Sequence, residues 1–170
     1  MNHIFLCIIF VFAFVLTGLT QTVSKDERQG LLRAITQSES TFFRDQVSSY
    51  GGFDQVAREM KVKKVTTKNG LNLYLVDWVM GSYACGSSGE CQAWVLEKSQ
   101  NGYELLLSES GLRFATTSTN GYRDLSQSSG ASVYQSDFTY GSSFKFENGR
   151  YVKSCFKQKR KGRPVKTPCV

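Results

Sequence analysis

Residues 82–107 read SYACGSSGECQAWVLEKSQNGYELLL. Cys85 and Cys91 bracket a short Gly/Ser loop, and the aromatic and β-branched run Ala93-Trp94-Val95-Leu96 follows at once. Asn101-Gly102 then predicts a tight turn into a second run, Tyr103-Glu104-Leu105-Leu106-Leu107. Asn-Gly is a strong hairpin signal because both residues tolerate positive φ. The stretch therefore predicts a β-hairpin whose first strand is clamped by a disulfide.

Working outward, the same texture continues on both sides. Lys61-Val62-Lys63-Lys64-Val65 is short and charged, which suits a strand at a sheet edge. After Asn69-Gly70, the run Leu71 to Val79 places Leu71, Leu73 and Leu75 on one face and Tyr74, Val76 and Trp78 on the other. With both faces apolar, this strand is expected at the centre of its sheet. Ser99-Gln100-Asn101-Gly102-Tyr103 to Ser110-Gly111 is echoed nineteen residues later by Ser118-Thr119-Asn120-Gly121-Tyr122 to Ser129-Gly130, with Leu106 and Leu125 at matching places. Such an echo is the mark of a repeated hairpin unit. Further strands are predicted near 112–117, 122–127, 131–138, 143–147 and 150–156, with Asn148-Gly149 as the last such turn. Upstream, Leu31, Leu32, Ile35, Phe42, Phe43 and Val47 recur at helical spacing from Lys25 to about Tyr50, with Ser24 as N-cap and Asp26 and Glu27 in the first turn. Gly51-Gly52 ends that helix, and Phe53 to Met60 forms one more short turn. The fold class is thus mainly β (α+β): an antiparallel sheet built of hairpins, sandwich-, barrel- or propeller-blade-like, with one N-terminal amphipathic helix packed on it.

Residues 1–20 are separate in character. Ile4 to Leu16 is apolar with four Phe and no charge, and smaller residues follow to Thr20. This resembles a secretory signal peptide cut before Gln21. An apolar stretch over residues 4–19 retained as a membrane anchor is the alternative, although it is short of the ~20 residues a spanning helix needs. The expected organisation is signal peptide 1–20, helical segment 21–60, antiparallel β domain 61–157 and basic C-terminal tail 158–170 tied by Cys169. Removing the leader leaves Cys85, Cys91, Cys155 and Cys169. Local pairing, Cys85 with Cys91 and Cys155 with Cys169, is expected of an exported chain, periplasmic or extracellular. A zinc site would need close Cys-x-x-Cys spacing, which is lacking.

The net charge of +7 is concentrated. Residues 24–60 carry five basic and six acidic side chains, and residues 61–149 carry eight of each. Residues 150–170 carry eight cations and no acid. Such a block attracts anionic surfaces. Lys157, Lys159, Arg160, Lys161 and Arg163 are the candidate anion-binding residues. Nucleic acid fits poorly as a partner for an exported chain with no nucleic-acid-binding module. Phospholipid headgroups and anionic envelope polymers fit better, and another exported protein is the remaining class of partner.

The chemistry available is narrow. The single histidine is His3, inside the leader, so histidine-activated nucleophiles and histidine metal sites are excluded from the rest. No metal and no cofactor is expected, since the glycines lie in turns rather than in a phosphate-binding loop. Asp77, Asp124 and Asp137 are the carboxylates placed in or beside strands, and glycoside hydrolysis needs only two of them. Asp77, between Val76 and Trp78, would be desolvated there and is expected either to accept hydrogen bonds from a neighbouring turn or to pair with Arg123. Tyr103, Tyr122, Tyr134, Tyr140 and Tyr151 provide either cross-strand packing or surface on which sugars rest.

CGSSGECQAWV, NGYELLL, NGYRDL and FENGRY resemble a pattern in uncharacterised exported bacterial proteins, covering about residues 67–155. Members often carry a calcium-suited acidic loop before the central strand. Here the positions read Thr67-Lys68-Asn69-Gly70-Leu71-Asn72, with Thr67 and Leu71 where acids would stand, which weighs against calcium. The resemblance implies a fold and a compartment and carries no activity. The reading is an exported, non-enzymatic domain that binds anionic envelope components through its basic C-terminal segment. A carboxylate-dependent glycan hydrolase and a binding partner or inhibitor of an envelope-attacking protein are the alternatives.

Overall fold

The structure, a computed structural model, describes residues 22–78, 85, 91–128, 138–159 and 163–169, with backbone alone at 128, 138–140 and 157–159. The leader, the 131–137 part of one expected strand, Asp137 and Tyr134 lie outside the described residues.

Three helices come first: α1 (Lys25–Ser38), α2 (Thr41–Ser49) and α3 (Phe53–Glu59). Strands β1 (Lys61–Thr66), β2 (Asn72–Asp77), β3 (Gln92–Ser99) and β4 (Gly102–Ser110) form an antiparallel sheet in that order. Strands β5 (Leu112–Thr119), β6 (Tyr122–Ser128), β7 (Phe138–Glu147), β8 (Arg150–Lys159) and β9 (Pro164–Thr167) form a second one, also in sequence order. The mainly β class is as expected, and among the three architectures the sequence left open it is a sandwich with a helical layer added.

Two apolar clusters explain the layering. Tyr74, Val76, Trp78, Trp94 and Leu96 face the helices, against Leu31, Leu32, Ile35 and Phe43. Leu75, Ala93 and Val95, on the opposite face of the same strands, meet Leu112, Leu125, Phe144 and Phe146 of the second sheet. β2 and β3 are therefore buried on both faces, as the alternation in Leu71 to Val79 predicts, and β1 is the edge strand its charges suggest. A bulge in the β3–β4 pairing leaves Leu106 without a partner, so Leu105 turns to the helices while Leu106 and Leu107 both turn to the second sheet. The echoed sequence becomes two hairpins, β3–β4 in the first sheet and β5–β6 in the second.

Several expectations need correction. The single helix from Lys25 to about Tyr50 is broken at Glu39 and Ser40, both extended, because Glu39 turns its carboxylate onto the sheet. α1 does begin as read, with Ser24 and Glu27 in a reciprocal capping box. Only Asn120-Gly121 and Asn148-Gly149 are two-residue turns with both φ positive. In β3–β4, Ser99 pairs with Gly102, which moves the turn to Gln100-Asn101. Residues 67–71 form a longer connection, closed by Leu71 N–H donating to Thr67 Oγ1 at 3.1 Å. The segment read as a tail supplies β9, because its residues complete the open edge of β8.

Candidate functional site

The basic C-terminal run is a hairpin rather than a loose tail. Phe156 pairs with Lys166, Lys157 with Val165 and Gln158 with Pro164, and the Cys155–Cys169 disulfide ties the far end. The other disulfide, Cys85–Cys91, clamps the start of β3. β9 is the outermost strand of its sheet; Lys166 is exposed on it and Arg163 is exposed just before it. Val165 beside them is 57% exposed. Lys157 and Lys159 are placed in β8 by their backbone, while Arg160 and Lys161 lie outside the described residues. Lys153 is already engaged: its Nζ donates to Glu109 Oε1 at 3.1 Å and sits over the Phe144 ring. The Phe156 ring lies over Gly141, where a Cβ would come within 2.6 Å of its edge, so glycine is what lets the aromatic lie flat on the sheet.

Asp77 ends β2 opposite Lys61 and Ala93. It lines a cleft of about 380 Å³ together with Lys61, Lys63, Trp78, Leu112 and Arg113. Desolvation raises its pKa, and the positive fields of Lys63, Lys61 and Arg113 oppose that rise. The partner expected from sequence, Arg123, is elsewhere and donates to the Thr116 carbonyl at 2.8 Å.

Asp124 is 5% exposed. It sits opposite an irregular stretch of β5, between the pairs Phe114–Leu125 and Ser118–Arg123. Its Oδ2 accepts from Thr117 Oγ1 at 2.7 Å, while Oδ1 has no hydrogen-bond partner. Its charge acts on Tyr151, as do Tyr122 and Glu97, so it belongs to the end of the sandwich where Glu97 pairs with Leu73. Asp77 is four residues further along β2, roughly 13 Å at strand rise. The two carboxylates thus occupy opposite ends and form no catalytic pair of the 5 to 9.5 Å kind.

The described tyrosines serve the interior. Tyr103 packs edge-on to Tyr74 beside α1, Tyr122 stacks on Phe146 at 3.6 Å, and Tyr151 donates to the Arg123 carbonyl at 2.9 Å. Tyr122 also donates to Glu97 at 3.0 Å. Burial, then that hydrogen bond, lifts its pKa to about 12.

Two carboxylates that sequence reasoning passed over carry the polar joints between layers. Glu39 Oε1 accepts from Trp94 Nε1 at 2.6 Å and Ser108 Oγ at 2.8 Å. Glu27 Oε1 accepts from Tyr74 at 2.7 Å and Lys64 at 3.0 Å. The capping position of Glu27 was legible in sequence; its reach to β1 and β2 was not, since it depends on how α1 lies on the sheet. Among the described residues there is no group of three His, Cys, Asp or Glu side chains able to hold a metal, and no helix is long and apolar enough to cross a membrane.

No protein-family model, curated protein or solved structure matches this chain.

Proposed function

We propose that the protein is exported and binds anionic envelope material, polymer or lipid, through the β8–β9 hairpin. The supporting observation is that a stretch with eight cations and no acid is anchored by strand pairing and a disulfide at a sheet edge. Anchoring lowers the entropy lost on binding compared with a free basic tail. Two disulfides also suit an oxidising compartment.

Truncation at residue 149 would remove β8, whose Tyr151 is in the core, so charge substitution is the cleaner experiment. At about 1 kcal/mol per cation near an anionic surface, Arg160→Gln, Lys161→Gln, Arg163→Gln and Lys166→Gln together should weaken binding to anionic vesicles or polysaccharide roughly a thousandfold. Binding by the unaltered protein should also fall with added salt. Equal binding by both proteins ends the proposal. Export is tested by the mass of the protein recovered outside the cytoplasm, expected to lack residues 1–20 and to show no free thiol.

A further inference from the structure

The Asp77 cleft is a second charged feature, on the opposite rim of the molecule and independent of the β8–β9 hairpin. β5 lies across β2 and β3, and β8 lies across β4. That offset leaves the sheet-facing side of β1 uncovered. Lys61 and Lys63 project from that side, in register with Asp77 and Leu75, and both remain exposed. Arg113, exposed on β5, brings a third cation to the same cleft from the second sheet. Among the described residues, none of the three forms an ion pair with a carboxylate.

Charge and hydrogen-bonding capacity identify the ligand. Three cations and one carboxylate leave two positive charges unmatched. A phosphate monoester carries about −1.5 to −2 at neutral pH, whereas a phosphodiester or a carboxylate carries a single charge. Asp77 repels a bare anion, but it can accept a hydrogen bond from a hydroxyl. A ligand with a phosphate and a hydroxyl on neighbouring carbons satisfies both halves of the cleft. Arg113 supplies a planar fork for phosphate oxygens, and Lys61 and Lys63 supply point charges. We propose that this cleft binds the phosphate monoester of a polyol, with the phosphate on Lys61, Lys63 and Arg113 and an adjacent hydroxyl donating to Asp77.

The test is calorimetric titration of the purified, disulfide-intact protein with glycerol 3-phosphate, inorganic phosphate, a glycerophosphodiester, and vesicles containing phosphatidic acid. The monoester should bind at least tenfold more tightly than the diester and more tightly than inorganic phosphate. Lys63→Gln and Arg113→Gln should each weaken it about tenfold. Asp77→Asn should erase the preference for glycerol 3-phosphate over inorganic phosphate while leaving phosphate binding intact. Arg163→Gln with Lys166→Gln should leave the affinities for the three soluble ligands unchanged, which separates this site from the hairpin. Lys63-dependent binding of soluble ester or of phosphatidic acid supports the site, and the stronger of the two identifies the source. Absence of binding at millimolar ligand, or equal affinities in Lys63→Gln and the unaltered protein, overturns it.

Discussion

Glu27 shows how one side chain joins three elements. Burial pushes its carboxyl pKa up, but hydrogen bonds from Tyr74, the Ser24 N–H and Lys64 outweigh that and hold it at about 2, below its ordinary 4.5. The same bond, after burial, raises the Tyr74 phenol. A carboxylate with a depressed folded-state pKa stabilises the protein above its ordinary pKa and loses that contribution as pH falls. Stability attributable to Glu27 should therefore be full at neutral pH and disappear between about pH 4.5 and pH 2. Chemical denaturation across that range should show Glu27→Gln about 1–2 kcal/mol less stable at pH 7, with the two curves converging near pH 2. A constant gap at all pH values would show that packing, not charge, is what Glu27 contributes. Asp124 is the contrasting residue, buried with one oxygen bonded to Thr117 and the other unsatisfied.

At the scale of elements, the seat of α1 on the first sheet depends on Gly30. Glycine is a poor helix former, and its place inside α1 looks like a local weakness. The reason for it is tertiary: a Cβ there would lie 2.5 Å from the Tyr103 ring. That ring is held edge-on to Tyr74 and beneath Lys98, so it has little room to yield. Gly30→Ala should gain about 1 kcal/mol of helix propensity and lose about 1–3 kcal/mol to overpacking, for a net loss near 1 kcal/mol. In a Tyr103→Ala background the same substitution should become stabilising. A double-mutant cycle by urea denaturation measures both, and a cycle with no coupling removes the explanation.

For the whole molecule, the disulfides act at the margins of a core that is already extensive. The Cys155–Cys169 bond closes a loop of sequence separation 14 and holds β9, which pairs with β8 alone. In the chain-entropy view such a loop is worth about 3 kcal/mol. In a Cys155→Ser, Cys169→Ser protein, amides of residues 165–167 should lose hydrogen-exchange protection while β2 and β3 keep theirs. Affinity for anionic vesicles should fall several-fold as Arg163 and Lys166 become mobile. Protection of residues 165–167 in that double variant would mean that strand pairing alone suffices to hold the hairpin.

The chain by itself determined what local physics controls. Alternation in Leu71 to Val79 marked a strand buried on both faces, and the charges of Lys61 to Val65 marked an edge. Cysteine spacing announced both disulfides, since loops this short favour local closure. The concentration of charge after residue 149 was likewise written in composition. Only the tertiary structure decided how the strands divide into two sheets, because a hairpin's own sequence does not say which face meets which partner. It alone broke the long helix at Glu39, where bonds to Trp94 and Ser108, distant in sequence, outweigh continued helical hydrogen bonding. It alone gathered Lys61, Lys63, Asp77 and Arg113 around one cleft, since the offset between the packed sheets leaves β1 uncovered where those charges lie.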